Sequence, residues 1–382
     1  MLFRPASEPG PKDPAYVGGI AAAVFVRETI VRNLLAIGFV VGVGAVSMMA
    51  QSSGGAWKAP RTSDGHPDLQ GVWANNSVTP MTRPTQWKDK DKLTDQEVKE
   101  LQGLIGQYVS QGGDAVFQNM VQLALDMKEK GGYQPISYDK TTGNYNQFWM
   151  ADRDWDNRTA LITDPPNGLM PPLTPEGEAR RARFGRGVVV QGSESGPRGR
   201  ADGPEDRPLS ERCISYGAPY TGAGYDSYFM ITQSPETVVI MQELIHDARL
   251  IPMDGRPHLP STVRQLHGDS RGRWDGDTLV VETTNYVNGV QGGTRDTKLT
   301  ERFTRVSEDF INWELTLNDP STWTKPWTFM IRLKKAEQPI YEYACHEGNY
   351  AMVGILAGAR AEETKAAAKP AAAATKTGTK QQ

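Results

Sequence analysis

The chain has 382 residues, a formal net charge of -3 and a sequence pI near 6.0. A chain so close to neutral lacks the basic stripe that draws nucleic acid, so no nucleic-acid partner is expected. Its 26 prolines and 39 glycines exceed ordinary usage and lie mainly outside the β-rich part, so much of the first half is expected as extended loop, with roughly 300 residues left to fold.

Arg27, Arg32 and Asn33 precede an uninterrupted apolar run, Leu34 to Ala50, and the polar stretch Gln51 to Gly55 follows it. That is the layout of a secretory signal peptide, with Ala45, Ser47 and Ala50 as small residues at cleavage positions. At 17 residues the run is slightly short for a bilayer core needing about 20. A single-pass anchor through 34–50 is the alternative, favoured by the long stretch before Arg27 unless translation begins downstream. Both readings keep the arginines inside and place the rest outside the cytoplasm. A periplasmic or secreted protein is therefore expected, anchored to the cytoplasmic membrane in the second case. The only two cysteines, Cys213 and Cys345, fit that compartment as a disulfide, worth about 4 to 5 kcal/mol for so long a loop in the chain-entropy model. The functional alternative pairs a thiolate with His346 as nucleophile and base.

From Ala56 to Lys92 no periodicity persists, and prolines with scattered tryptophans describe an extended arm laid over a surface. Leu93 to Gln111 carries the strongest helix signal. Thr94 and Glu97 form a capping box, Leu93 and Val98 a hydrophobic staple, and Val98, Leu101, Ile105, Tyr108 and Val109 one stripe. A second helix is expected from Asp114 to Lys130, making a helical hairpin, and a third from the Thr174-Pro175-Glu176 start to about Arg183. Gly132 to Pro172 reads as irregular, and Gly192 to Pro208 as a linker. From Ser227 the pattern changes to strands: 227–233, 237–251, 277–286, 299–306, 310–317, 327–334 and 340–345. The run 237–251 is too long for one ordinary strand and should bend or break near Glu243 to His246. Ile311, Trp313, Leu315 and Leu317 alternate with polar residues, as do Trp327, Phe329, Ile331 and Leu333, so these two strands should be antiparallel neighbours. The expected fold is α+β: a C-terminal antiparallel β-barrel preceded by a small helical, loop-rich N-terminal region. The expected divisions are 1–50 signal or anchor, 51–92 arm, 93–208 helical and loop-rich region, 209–360 barrel, and 361–382 a disordered tail rich in Ala, Lys and Thr.

The segments TSDGHPDLQGVW (Thr62 to Trp73), GRWDGDTLVVETTNY (Gly272 to Tyr286), ERFTRV, DPSTWTKPWTF and YEYACHEGNY (Tyr341 to Tyr350) resemble an uncharacterised exported family of environmental Gram-negative bacteria. The likeness covers nearly all of the mature chain. It implies a secreted protein with a lipocalin-like C-terminal β domain and supplies no catalytic residues.

Four of the five histidines, His246, His258, His267 and His346, fall in the β-rich part beside Glu243, Asp247, Arg249 and Glu347. Alternation puts Glu243, Asp247 and Arg249 on one strand face, as an acid–base pair or a salt-bridged row. An enzyme built here would use His246 or His258 as base, Asp247 as orienting acid and Arg249 as anion clamp, and would be a hydrolase or lyase acting on a small organic or sugar-derived compound. Neither HExxH nor CxxC spacing, P-loop nor dinucleotide fingerprint is present, so no metal and no cofactor are expected. Aromatic residues offer the other signal. Trp274, Trp313, Tyr341 and Tyr343, with Glu282, could line a pocket for a small apolar or aromatic ligand. The first expectation is thus a non-catalytic exported protein, either a small-ligand binder or an accessory subunit docked on the periplasmic face of a membrane protein complex. An open barrel cavity would favour the carrier, and a filled one docking.

Overall fold

The computed structural model describes residues 57–110, 120–130, 153–184 and 201–375. All belong to one unit of the chain, Trp57–Gln382. The signal or anchor segment lies outside the described residues.

Ten strands, β1 (Gly71–Ala74), β2 (Ile162–Asp164), β3 (Tyr228–Gln233), β4 (Thr237–Gln242), β5 (Ala248–Pro252), β6 (Asp269–Asp275), β7 (Thr278–Thr284), β8 (Lys298–Arg305), β9 (Phe310–Asn318) and β10 (Trp327–Lys335), share one antiparallel sheet. Its order is β5-β4-β3-β1-β10-β9-β8-β7-β6, with β2 beside β10. The end strands β5 and β6 come together side by side, so the nine strands of the main path make a nearly closed barrel. Gly272 on β6 makes that approach feasible, because a Cβ there would lie 2.9 Å from Cγ2 of Ile251 on β5 and against the sulfur of Met253.

Alternation decides what fills the barrel. Trp274, Leu279, Phe303, Trp313 and Ile331 stand opposite one another in register across β6 to β10, and Gly272, Val281, Glu301, Leu315 and Phe329 form the next row. Apart from Glu301, Gly272 and the partly buried Trp274, both rows are apolar side chains buried in one hydrophobic cluster. β9 and β10 are antiparallel neighbours, as their alternation predicts.

The run 237–251 breaks between Glu243 and His246 as expected, and the break is a full reversal: β4 and β5 pair antiparallel as a hairpin through left-handed Ile245 and His246 (φ 56° and 57°). Two other stretches differ from expectation. Residues 340–345 form no strand: the Tyr341 and Tyr343 amides donate to the Glu243 and His246 side chains, and the Cys345 amide to the Tyr343 carbonyl. The polar stretch Asp269–Asp275, outside the expected strands, is a full strand paired with β7. The arm does more than cover a surface. β1, inside it, is inserted between β3 and the far end of β10, while β2 takes the near end.

Among the described residues there are four α-helices: α1 (Asp95–Ser110), α2 (Met120–Lys130), α3 (Pro175–Phe184) and α4 (Ala351–Thr375). The capping box of α1 forms as its sequence requires, with Glu97 accepting from the Thr94 amide at 2.9 Å and the Glu97 amide donating to Thr94 Oγ1 at 3.3 Å. α1 and α2 bury Leu101, Ile105, Tyr108, Val121, Ala124 and Leu125 together in a second hydrophobic cluster. The six residues expected before α2 lie outside the described residues, as do 185–200. The tail expectation is corrected for its first part: α4 is helical as far as Thr375. Alanine is the best helix former, and Arg360–Glu363 and Lys365–Glu362 pairs one turn apart add to it. No helix among the described residues is long and apolar enough to cross a membrane.

Candidate functional site

The turn between β4 and β5 brings most of the charged candidates to one end of the barrel. There it meets the loop 213–226, which precedes β3, and the segment 340–350, which follows β10. The disulfide between Cys213 and Cys345 ties the two segments together with a Cα–Cα distance of 5.6 Å. No free thiol remains, which removes the nucleophile pairing with His346.

The candidates take separate partners. Asp247 is buried and accepts from Ser215 Oγ (2.8 Å) and the Tyr216 amide (3.2 Å), while its other oxygen lies 3.2 Å from His267 Nε2. His267 Nε2 is also 3.1 Å from Ser215 Oγ. Serine, histidine and aspartate therefore meet, but not as a nucleophilic relay. The Asp247 carboxylate approaches the same imidazole nitrogen as the serine, the serine hydroxyl donates to Asp247, and Ser215 is 0% exposed. Gly217 donates to Ser215 Oγ at 2.8 Å, and Gln242 bridges the Gly217 carbonyl (2.9 Å) and the Tyr220 amide (3.0 Å). This network locks loop 215–220 over the barrel end.

Arg249 points into the lumen and makes a bidentate pair with Glu301, at 2.5 and 2.9 Å. Trp313 Nε1 donates to the same carboxylate at 3.1 Å. Burial alone would lower the Arg249 pKa, and the adjacent Glu301 charge outweighs it, leaving it above its ordinary value. An arginine so engaged clamps its own glutamate and offers no anion site.

His246 is exposed, and its Nε2 accepts the Tyr343 amide at 3.0 Å, which requires the neutral ring with its proton on Nδ1. Buried Glu243 accepts the Tyr341 amide at 3.1 Å. Burial pushes the Glu243 carboxyl above the usual range, against that amide bond, and nearby Asp226 adds to the rise. Asp226 is likewise raised by burial, and Tyr220 far more so. His258 falls elsewhere, its Nδ1 2.9 Å from Asp269, which also pairs with Arg271 at 2.7 Å. The four proposed catalytic side chains thus share no hydrogen bond with one another.

The aromatic candidates do not form one pocket either. Trp313 is inside, edge-on to Phe229 and stacked on Phe303, each at 5.5 Å. These rings, with Ile231, Gln242 and Arg249, border a cavity of about 10 Å³, the room of a single water. Trp274 is stacked at 4.8 Å on His66 of the arm. Glu282 faces outward in a surface pair with Arg273. Tyr343 packs edge-on to Tyr225 at 6.4 Å, and Tyr341 is exposed.

Sequence reasoning missed Ser215, Gln242 and Glu301. Glu301 carried a readable signal, since Leu299-x-Glu301-x-Phe303 places a carboxylate on the apolar face of a strand. Among the described residues no group of three or more His, Cys, Asp or Glu side chains could hold a metal ion. Neither a known family model nor a curated protein matches the chain.

Proposed function

We propose that this chain is an exported, non-catalytic protein whose lipocalin-like barrel serves as a scaffold, an accessory subunit docked on the periplasmic face of a membrane complex. One observation carries the reading. The lumen is filled by the barrel's own side chains, leaving a cavity of about 10 Å³, while ligand pockets run to a few hundred Å³. The polar groups nearby are engaged in locking loops rather than converging on free space. Export is supported by the apolar run Leu34 to Ala50 and by the disulfide. The hydrolase or lyase alternative has less support, because its base, acid and clamp take unrelated partners.

Sedimentation of detergent-solubilised membranes from the native host tests this. The chain is expected to migrate with a large complex and to leave it only under dissociating conditions. Recovery solely as a soluble monomer would overturn the proposal.

A further inference from the structure

Nine residues border the cavity in the lumen. Eight stand on strands β3, β4, β5, β8, β9 and β10, and the ninth, Pro219, belongs to the loop before β3. Part of what fills the lumen is therefore not barrel wall. Residues 217–224, GAPYTGAG, form a strap that makes no backbone-to-backbone hydrogen bond among the described residues until Gly224 donates to the Asn75 carbonyl. Side chains hold it instead. Asn75 Nδ2 donates to the Thr221 and Gly222 carbonyls at 3.1 and 2.9 Å, Gln291 Nε2 to Thr221 Oγ1 at 2.8 Å, and Arg153 Nη1 to the Ala223 carbonyl at 3.1 Å. Left-handed glycines bound the strap, Gly217 at φ 79° and Gly224 at φ 85°, positions where the backbone turns at low cost. Gly222 leaves room for the Tyr220 hydroxyl to pack on the strap itself, as in a compact Ω-loop packed by its own side chains. Its upstream base stays fixed by the disulfide at Cys213 and the Ser215–Asp247 bond.

What the strap puts into the lumen states what the site accepts in its place. Gln242, 3% exposed, accepts the Tyr220 N–H on Oε1 and gives Nε2 to the Gly217 carbonyl. The Pro219 ring stands between those two backbone groups in the chain, against a cavity walled by Phe229, Phe303 and Trp313. Arg249 is the one ionisable residue among the nine, and Glu301 neutralises it. Withdrawing the strap would orphan both ends of a buried amide, a penalty removed by a molecule that restores an N–H and a carbonyl. A charged molecule would find no unpaired counter-charge on that wall.

We propose that the strap is a lid occupying a binding site at this end of the barrel, and that the lumen beneath takes a small uncharged molecule whose apolar ring lies between a carbonyl and an N–H, the chemistry of a proline amide. The strap is the internal stand-in for that molecule. Apparent affinity is lowered by the fraction of time the lid is shut. Docking of the outer surface stands or falls separately.

The test titrates the full chain by calorimetry with N-acetyl-Ala-Pro-amide, whose acetyl carbonyl, ring and terminal N–H copy the strap from Gly217 to Tyr220. Gln291→Asn removes a tether that lies outside the lumen, and asparagine tolerates the left-handed φ of 51° there. It should tighten probe binding by about tenfold, the worth of one hydrogen bond lost from the closed state. Gln242→Leu also loosens the strap, yet in the Gln291→Asn background it should weaken binding by about tenfold or more, which a merely structural glutamine would not do. The N,N-dimethylamide and the free acid of the same dipeptide should bind about tenfold more weakly than the amide, or worse. Native-state hydrogen exchange reads the lid without any ligand: the Tyr220 amide should exchange through an opening that leaves β3 protected. If it exchanges only together with β3, the lid is overturned. If the lid opens but the amide binds Gln291→Asn no tighter than wild type, binds no better than the dimethylamide or the acid, or still binds after Gln242→Leu, the site is misassigned.

Discussion

Replacing Arg249 by methionine removes the only cation bonded to Glu301 among the described residues, and the Glu301 side chain is 0% exposed. The carboxylate would keep the Trp313 indole at 3.1 Å and lose both guanidinium bonds. Breaking one partner of a fully buried pair costs about 3 to 5 kcal/mol, since the remaining charge is neither solvated nor neutralised. At about 2 to 4 °C per kcal/mol for a domain of this size, the midpoint should drop by about 6 to 20 °C. Arg249→Met with Glu301→Leu removes both charges at similar volume, a replacement that is often neutral or better. It strips the acceptor from Trp313, at about 1 to 3 kcal/mol. The double variant should therefore be more stable than Arg249→Met alone. Urea unfolding followed by tryptophan fluorescence measures both, with the slope reporting whether the transition stays cooperative. An Arg249→Met variant within about 1 kcal/mol of wild type, or a double variant no better than the single, would refute the buried-pair account.

Three further outcomes are expected. Reducing the Cys213–Cys345 disulfide, which spans a sequence separation of 132 residues, should cost about 5 kcal/mol by loop entropy; a midpoint unmoved by reductant would show that the segment is held without it. Glu243 has a raised pKa in the folded chain, so its contribution is complete below the ordinary glutamate range and is lost as pH rises through the raised value. Glu243→Gln, which can still accept the Tyr341 amide, should gain stability relative to wild type as pH rises from acid toward neutral, and parallel stability curves would count against the assignment. Gly272→Ala would push a methyl into Ile251 and Met253 across the β5–β6 seam and should cost about 1 to 3 kcal/mol, read as a lower midpoint; an unchanged midpoint would mean that the seam is slack.

The barrel's later strands were legible because each has one buried face, so Ile311 to Leu317 and Trp327 to Leu333 alternate cleanly. β6 was not: Arg271 and Arg273 lie off its core-facing row and its inward Gly272 has no side chain, so the hydrophobic signal vanishes although the ladder is complete. β1 is four residues long and too short for any period to register. Ile340 to Cys345 reads as a strand by residue type, yet its Tyr341 and Tyr343 amides are taken by Glu243 and His246, partners that only the folded chain brings near. The same limit applies at the barrel end. Alternation placed Asp247 and Arg249 on one face, and both are indeed buried. Their partners Ser215, His267 and Glu301 lie on other elements, which no local pattern could pair with them. Alanine and lysine repeats after Ala361 suggested disorder by low complexity, where helix propensity prevailed.

The insertion of β1 between β3 and β10 has a consequence for how the chain reaches this state. Its two neighbours come from the middle and from near the end of the described sequence, so the sheet cannot complete its hydrogen bonding until almost the whole polypeptide is present. High contact order of this kind slows folding. In the interval β3 and β10 each carry a bare edge, a template for pairing between molecules. A fragment cut to begin after the arm would keep every element of the C-terminal sequence and still leave the β3 edge and the far end of β10 permanently open, making self-association the outcome of truncation at what the sequence presents as a natural boundary.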